Sequence, residues 1–561
     1  MYPQVTIRAS VLATGRVITG RPAEPAGRAF ERLRAAAVTA VLLGRGRVAR
    51  GADLEQAARW GLTRLAAGDV AWDGVPAVAG SAPESQVRRL LASGAPMVLL
   101  TESGQVTALV EPAHVPVPPV EGSMARVLDA ADPVADARLW VLRTAGKTAE
   151  SLGSAVYLVG GGVRDLLLGR ASPDLDLAVE GDGIAFAARL AEEVGGRLVS
   201  HPTFGTASIE GGRAAGGAAL GRIDVASARR ERYDAPGQLP RVEVAGIAED
   251  LRRRDFSVNA MAVALAPARF GRLLDPFGGQ GDLRRRQLRP LGPLSFVEDP
   301  TRIFRAARYG ARLGFRLSGA GRRALGLALR VSALGRGFPA LSGPRLAAEL
   351  RLIAGEVSGW TALERLAGWG ALRVWDRAFG RAARVRSRLR AARRLEVWGE
   401  RAGVALDRYD LARLALLLDQ APAVQRRCLT RLGMSGAPRA EIAAALAAAR
   451  PTARGLAGSR LRTSTAAARM RRLSSPGLIA AWLVGGRRAR LRVQWFLAEG
   501  RAVRPALRGE DLLTLGVVPG PAMAAVIAAL RDGRLDGRLR SAADERAFVR
   551  EQRAGEKGGS T

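Results

Sequence analysis

The segment VYLVGGGVRDLLLGRASPDLDLAVEGDG, residues 156–183, decides the fold of the central part of the chain. An apolar strand over 155–161 runs into three glycines, and a short helix is expected to begin at Val163. Strands and helices go on alternating, with glycine-rich turns between them, over about 150–290. This alternation predicts an α/β domain built on a mixed sheet.

Two features of this segment suggest nucleotide chemistry. Gly160 and Gly161 stand where a strand meets a helix, and the absence of side chains there lets backbone N–H groups approach a phosphate closely. Asp174 and Asp176 are two residues apart on the next strand, so both carboxylates point to the same face. Paired carboxylates repel each other unless a cation lies between them, and hard oxygen ligands suit Mg²⁺. The alternative is a solvent-facing strand with two ordinary aspartates.

Two later blocks follow in the chain, LRRRDFSVNAMAV at 251–263 and EDPTRIFRAARYGARLGF at 298–315. With the first segment, and in this order, they resemble the motifs of the class II tRNA nucleotidyltransferases and bacterial poly(A) polymerases, over roughly residues 150–360. The resemblance implies an enzyme that extends an RNA 3′ end from a nucleoside triphosphate with Mg²⁺ as cofactor.

The resemblance also assigns roles to individual residues. Asp174 and Asp176 would be catalytic metal ligands, and the first glycines with Arg164 would hold the triphosphate. The second block would contact sugar and phosphate, and the third would select the base by pairing a carboxylate and a guanidinium with its Watson–Crick edge, which adenine and cytosine can both satisfy. The expected nucleotide-binding residues are Gly160, Gly161, Arg164, Arg254, Asp255, Asn259, Asp299, Arg302, Arg305 and Arg308, the last two in phosphate or structural roles.

Each of these blocks also has a plainer interpretation. The second block could be a helix N-terminus that Asp255 caps, with Arg254 solvated. In the third block, Asp299, Arg302, Arg305 and Arg308 are three residues apart and are expected to line one helical face, which could be a solvated arginine stripe.

Between the first and second blocks, Asp224 lies on a strand that could run beside Asp174 and Asp176. It is a candidate third catalytic carboxylate, acting as general base on the primer hydroxyl or as a further metal ligand. The stretch YDAPGQLP, residues 233–240, then resembles the flexible loop that the family uses to add the terminal adenosine. Because enzymes restricted to adding cytidines tend to lack that loop, its presence counts against such an enzyme.

The N-terminal part of the chain contains an internal repeat. Val41-Leu42-Leu43 recurs as Val98-Leu99-Leu100, and each copy combines a leading strand, a helix-length segment and two further strands. The pattern resembles a pair of CBS repeats over about residues 5–118. The Ser/Thr-x-x-Asp that binds nucleotides in such repeats is replaced by Arg50-Gly51-Ala52-Asp53 and Glu111-Pro112-Ala113-His114. A structural or dimerising role is therefore favoured over nucleotide sensing.

Composition limits the other possibilities. The 561 residues carry a formal charge of +34, which suggests a polyanionic partner, but all basic residues except Lys147 and Lys557 are arginine, so codon bias could explain part of the excess. One cysteine, Cys428, and two histidines cannot make a Cys/His zinc site. With no signal peptide and no apolar run of membrane-spanning length, a cytoplasmic protein without membrane contact is expected.

The predicted architecture is multidomain. An α/β CBS pair at 1–118 and a linker with a helix at 119–150 precede the nucleotidyltransferase head at 151–290, an all-α neck at 291–360 and an all-α body and tail at 361–555. Basic clusters in the helical half would contact the phosphates of an RNA acceptor stem. They comprise Arg381, Arg384, Arg386, Arg388, Arg390, Arg393, Arg394, Arg460, Arg462, Arg469, Arg471 and Arg472.

The sequence therefore predicts a tRNA nucleotidyltransferase that adds the 3′-terminal adenosine to tRNA from ATP, because CBS repeats, catalytic head and loop together look most like that branch. A full CCA-adding enzyme, which would also use CTP, and a poly(A) polymerase are the alternatives. A homodimer through the CBS repeats is expected. A catalytically inactive RNA-binding protein or an adenylate sensor would instead have a broken carboxylate pair or an intact CBS ligand signature.

Overall fold

The computed structural model describes residues 7–44, 46–112, 133–170, 175–214, 217–334, 338, 341, 343–380 and 382–558. The chain forms two compact units, Met1–Leu341 and Ser342–Thr561. Residues 119–132 of the predicted linker-and-helix segment lie outside the described residues, as do Asp174 and Arg381. The finer five-part division stays a prediction.

The N-terminal part of the first unit contains two copies of a strand, helix, strand, strand unit. In each copy the first two strands pair in parallel and the last two antiparallel, which gives the predicted repeat a structural basis. The strands join in one sheet of order β4-β3-β2-β1-β7-β6-β5. The elements are β1 Gly15–Thr19, α1 Ala26–Ala36, β2 Ala40–Leu42, β3 Arg47–Arg50, α2 Gly51–Arg59, β4 Trp72–Asp73, β5 Ala77–Ala79, α3 Glu84–Ala92, β6 Val98–Glu102 and β7 Gln105–Val110.

The head that follows is built on the mixed sheet that the alternating pattern predicts. Its strand order is β10-β11-β12-β9-β8-β15-β16, with β9 and β12 parallel and the other neighbouring strands antiparallel. The strands are β8 Ala155–Val159, β9 Leu175–Glu180, β10 Arg197–His201, β11 Thr206–Glu210, β12 Ile223–Ser227, β13 Arg229–Arg232, β14 Arg241–Val244, β15 Ala262–Ala264, β16 Leu273–Leu274, β17 Gln287–Leu288 and β18 Arg316–Leu317. Strands β13 and β14 form a separate hairpin, and β17 pairs with β18.

Helices cover this sheet and continue into the neck. They are α4 Pro133–Ser151, α5 Gly161–Leu167, α6 Gly183–Val194, α7 Ile247–Arg252, α8 Gly279–Arg284, α9 Ser295–Glu298, α10 Thr301–Leu313 and α11 Gly319–Ala333. Helix α6 illustrates how sequence sets these bounds: the Asp182 carboxylate accepts hydrogen bonds from the N–H groups of Ile184 and Ala185, and Gly195 ends the helix in the left-handed conformation.

The central segment differs from its prediction at two bounds, the end of the strand, expected at residue 161, and the start of the helix. Strand β8 ends at Val159 and helix α5 begins at Gly161, two residues before Val163. Gly160 forms the whole junction with φ +68° and ψ −128°, a conformation that residues with a β-carbon rarely adopt. The absence of a side chain allows the strand to turn directly into the helix.

The second unit is helical in its described residues, as the fading of strand signals beyond about residue 300 predicts. Its helices are Pro344–Gly355, Gly359–Gly368, Ala382–Ala402, Arg408–Leu417, Pro422–Arg431, Gly436–Gly455, Thr463–Arg471, Ser475–Val484, Arg487–Trp495, Gly509–Thr514, Pro521–Leu535 and Ala542–Gly558. Among the described residues of the chain, no helix combines the length and apolar character that crossing a membrane requires.

Candidate active site

The carboxylates of the central sheet meet on neighbouring strands. Asp176 on β9 is in register with Asp224 on the parallel strand β12, so the two side chains share a face of the sheet. Asp224 is in turn in register with Ser208 on β11, and the Ser208 hydroxyl donates to Asp224 Oδ1 at 2.6 Å. The structure thus places Asp224 beside Asp176, where the sequence expects it. Asp174, which the sequence pairs with Asp176, lies outside the described residues.

These side chains line a cavity of about 380 Å³, called here the carboxylate cavity. Besides Asp176, Asp224 and Ser208, its lining includes His201 and Arg254. Neither predicted carboxylate is buried: Asp176 is exposed, and Asp224 keeps 38% of its side-chain surface while it accepts a 2.8 Å hydrogen bond from Arg222 Nε. Solvent, a cation or a phosphate can therefore reach both groups.

Gly160 lies at the edge of this cavity and explains why the junction needs glycine. A β-carbon at Gly160 would lie 2.8 Å from Arg254 Nη1 and 3.7 Å from Asp176 Oδ2. The Arg254 guanidinium is fixed in position, because its Nη2 donates a hydrogen bond to the buried Asp250 carboxylate at 2.8 Å. Within the described residues, its buried Nε has no hydrogen-bond partner. The bare backbone of Gly160 leaves this guanidinium and the Asp176 carboxylate room for a ligand.

The donor set is compatible with a divalent metal. Two carboxylates in register on adjacent strands, half-open to solvent, are the hard oxygen ligands that Mg²⁺ takes from proteins, with substrate phosphates as the remainder. Within the described residues, no group of three or more His, Cys, Asp or Glu side chains gathers as a complete metal site.

Other predicted site residues form a buried network. The Asn259 side chain joins its two halves: its Oδ1 accepts from Arg164 Nη1 at 2.6 Å, and its Nδ2 donates to Asp255 Oδ1 at 2.9 Å. Asp255 Oδ2 accepts from Arg305 Nε at 2.6 Å. Asp165 completes the network by accepting two hydrogen bonds from Arg164. Arg164, Asp255 and Asn259 are each at most 6% exposed, so this network is part of the core of the head.

Electrostatics keep the Asp255 carboxylate ionised inside this network. Burial by itself raises its pKa, but Arg305 and the hydrogen bond from Asn259 outweigh burial and hold the pKa of Asp255 below its ordinary value. Asp255 also accepts from the Phe256 N–H at 2.8 Å, and Ser257–Asn259 form a single 3-10 turn. The helix-capping interpretation is thus wrong, because Phe256 precedes this turn and no side chain of the described residues caps it, and Arg254 is mostly buried rather than solvated.

Tyr309 is a residue that the motif reading overlooked. The guanidinium carbons of Arg164, Arg305, Arg308 and Arg312 lie 4.7–5.3 Å from the centre of its ring. Its hydroxyl also accepts from Arg305 Nη2 at 3.1 Å. An aromatic residue within an arginine-rich helix is the only sequence signal for this arrangement, since the arginines come from two distant segments.

The third block is mostly buried, so the solvated-stripe interpretation is wrong. Asp299 precedes helix α10 and caps it, accepting from the Thr301 N–H at 3.0 Å and from its hydroxyl at 2.6 Å. Arg302 is 6% exposed and donates to the Ser295 hydroxyl at 2.8 Å, to Glu298 at 3.2 Å and to the Arg253 carbonyl at 2.9 Å. The acidic groups nearby raise the pKa of Arg302 despite its burial, so the guanidinium stays charged.

Arg302 lines a second cavity, of about 180 Å³, called here the selector cavity. Arg253 lines both cavities and is their shared wall. Arg253 and its buried partner Asp250 are further site residues that sequence reasoning missed, because the run of three arginines at 252–254 does not reveal which one faces which cavity. The lining of the selector cavity is Arg50, Asp53, Arg230, Glu231, Tyr233, Glu249, Arg252, Arg253, Leu291, Gly292, Leu294, Ser295, Glu298 and Arg302.

With this geometry established, comparisons with known proteins identify the family. Residues 156–289 match the poly A polymerase head domain. A CC-adding tRNA nucleotidyltransferase of Deinococcus radiodurans is 33% identical over 395 residues, which cover 70% of this chain and 88% of that protein. The chain belongs to the tRNA nucleotidyltransferase family. As the motifs predict, it is a nucleotidyltransferase by descent.

Two further relatives of this tRNA nucleotidyltransferase family member have other nucleotide specificities. An A-adding tRNA nucleotidyltransferase of Geobacter sulfurreducens is 46% identical over 233 residues, which cover 42% of this chain but only 25% of that protein. The solved Thermotoga maritima CCA-adding enzyme complexed with tRNA is 27% identical, with a TM-score of 0.62 over 76% of this chain and 98% of that one. The relatives thus include enzymes with each of the nucleotide specificities A, CC and CCA.

Proposed function

We propose that the protein is a tRNA nucleotidyltransferase that adds the 3′-terminal adenosine to tRNA from ATP, without a nucleic-acid template, and releases pyrophosphate. The observation that carries the proposal is the in-register pair Asp176 and Asp224 beside Gly160 and Arg254. The 46% identity to an A-adding relative supports the choice of adenosine. A full CCA-adding enzyme is the second candidate, because of the likeness to the Thermotoga structure.

The residues of the carboxylate cavity would bind the metal, the triphosphate and the primer proton. Asp176 and Asp224, with Asp174, would hold Mg²⁺, which when bound activates the primer 3′-hydroxyl and offsets the charge that develops on the α-phosphate. Arg254 supplies positive charge to the triphosphate beside the Gly160 backbone, and Gly161 leaves space for it. Asp224, accessible and hydrogen-bonded to Ser208, is also placed to accept the primer proton.

The second and third blocks would form the rest of the site. Asn259 and Asp255, with Arg164, Arg305 and Arg308, would act mainly by fixing the backbone that surrounds the sugar and phosphates, since their side chains bond to one another or pack on Tyr309. Arg302, which lines the selector cavity, would select the base together with Asp299, which does not line that cavity.

We also propose that the N-terminal repeats are a CBS pair in a structural and dimerising role. The Arg50 guanidinium makes two hydrogen bonds to Asp53, at 2.7 and 3.0 Å, and lies 4.7 Å from the centre of the Trp72 ring. Trp72 Nε1 also donates to Asp53 at 2.7 Å, so the carboxylate at the position of the nucleotide-binding Asp of CBS repeats already has internal partners. Light scattering of the full chain would detect the dimer.

The test of the activity uses tRNA transcripts that end at the discriminator base, at C and at CC, each with labelled ATP or CTP. One adenosine added to the CC transcript, lost with EDTA and restored by Mg²⁺, is the expected result. Incorporation of CTP into the shortest transcript would establish the CCA-adding candidate instead, and long adenosine tails would indicate a poly(A) polymerase.

A further inference from the structure

The segment 233–240 is attached at both ends of its turn, and one attachment comes from the N-terminal repeats. Gln56 and Trp60, at the end of helix α2, donate to the same Tyr233 carbonyl, from Nε2 at 2.8 Å and from the indole Nε1 at 3.2 Å. Trp60 is 3% exposed, so moving the segment away would break a hydrogen bond in a buried environment.

The other attachment leads to the base-selecting residues. The Gly237 N–H donates to the carbonyls of Val297 and Glu298, at 3.0 and 3.1 Å, immediately before Asp299. Gly237 has φ +64°, and a β-carbon there would lie 2.9 Å from the Phe338 side chain, so this close approach requires glycine. The segment is therefore hydrogen-bonded to α2 at Tyr233 and to the end of α9 at Gly237, and its backbone connects the two.

A second, independent observation joins the same regions electrostatically. Arg50 and Asp53 of the first repeat line the selector cavity together with Tyr233, Glu298 and Arg302. Burial raises the pKa of Glu298, the adjacent Arg302 opposes that rise, and the negative charge of Asp53 adds to it. The first repeat is thus one wall of the cavity, and its charge reaches the carboxylate that pairs with Arg302.

We propose that Gln56 and Trp60 of the N-terminal repeats are positioning residues for nucleotide selection: they hold the segment 233–240 against Glu298, and so fix the cavity in which Arg302 meets the base of the incoming ATP. This inference rests on the proposed function for its substrate. It assigns to the repeats a role within the catalytic cycle, in addition to any role in dimerisation, and neither residue needs to touch the nucleotide.

The test compares full-length Gln56→Leu and Trp60→Phe, singly and together, with Glu55→Gln as the matched control. Each variant removes one donor to Tyr233 and keeps most of the side-chain volume, whereas Glu55 is on the same helix and pairs with the exposed Arg59. Steady-state kinetics on the CC-ending transcript should show the KM for ATP raised about fivefold in each single variant and more in the double variant. The KM for ATP of the Glu55→Gln control should equal that of the wild type, and the KM for tRNA should not change in any variant.

Limited trypsin digestion provides a readout that does not depend on catalysis. Releasing the segment should accelerate cleavage after Arg232 and Arg241 in the double variant, at a temperature where its thermal unfolding has not begun. Wild-type KM for ATP together with wild-type cleavage rates would overturn the inference. If the wild-type protein adds no adenosine at all, the proposed function fails, and the digestion still decides whether α2 holds the segment.

Discussion

The carboxylate cavity and the buried network around Asp255 use the same residue types for opposite purposes. Asp224 keeps 38% of its side-chain surface, and its partners are a hydroxyl and the half-exposed Arg222. Asp255 is 6% exposed, and its hydrogen bonds come from Arg305, Asn259 and a backbone N–H. The accessible carboxylate is suited to exchange partners with a metal or a substrate, whereas the enclosed one fixes the surrounding chain.

Substitutions of the accessible carboxylates should have the largest effect on activity. Asp176→Asn and Asp224→Asn should each lower kcat for adenosine addition by about 10³-fold, since each removes a charge from the proposed metal site. Both should fold normally because neither carboxylate is buried. Glu210→Gln on β11, whose partner is the exposed Arg197, is the control and should retain full activity. Undiminished turnover in Asp176→Asn would refute the assigned metal site.

Gly160→Ala tests the space at the junction. Its β-carbon would meet Arg254 Nη1 at 2.8 Å on a backbone with φ +68° and ψ −128°, so both the ATP affinity and the free energy of unfolding should fall, the latter by about 2 kcal/mol. Gly153→Ala is the matched control, because Gly153 has φ +64° with no atom within 4 Å of the added carbon. If both variants bind ATP equally, the contact with Arg254 has no role.

The Asp255→Asn variant tests the buried carboxylate through the pH dependence of stability. The folded pKa of Asp255 is lowered, so its ionisation stabilises the fold above the ordinary aspartate pKa of about 3.9, and this contribution is lost as the pH falls through and below that value. Urea unfolding between about pH 5 and pH 3 should therefore show a shallower loss of stability in the variant than in the wild type. The pKa of Asp250 is also lowered, so Asp250 contributes to the loss of stability at falling pH in both proteins. Parallel slopes would mean that folding does not lower the pKa of Asp255.

Tyr309→Phe should have the smallest effect. The ring and its four neighbouring guanidinium groups remain, and only the hydrogen bond from Arg305 is lost, so the free energy of unfolding should fall by about 1 kcal/mol with little change in kcat. Tyr309→Leu removes the cation–π contacts as well and should cost more. Equal stabilities of the two variants would show that the ring itself contributes nothing.

The sequence predicted the parts of the site that depend on local pattern. The alternation of apolar residues and glycines predicted β8, β9 and the glycine junction between β8 and α5, because side-chain period and backbone freedom are local properties. The three motif blocks predicted Asp176, Arg254 and Arg302 as site residues, and the expected neighbouring strand predicted Asp224. The helix start was missed by two residues, since glycine normally disfavours helix interiors and only the junction geometry places Gly161 inside one.

The sequence did not predict which side chains are buried or which residues bond to each other, because both depend on contacts between residues far apart in the chain. Arg302 and Arg254 read alike in an arginine-rich sequence, yet packing encloses Arg302 among Ser295, Glu298 and a carbonyl and leaves Arg254 facing the carboxylate cavity. The bonds from Gln56 and Trp60 to Tyr233 span more than 170 residues. The sequence by itself determined which chemistry the chain carries and on which strands it lies. Only the tertiary structure decided which charges stay accessible and which support the fold, since access depends on what packs against each side chain.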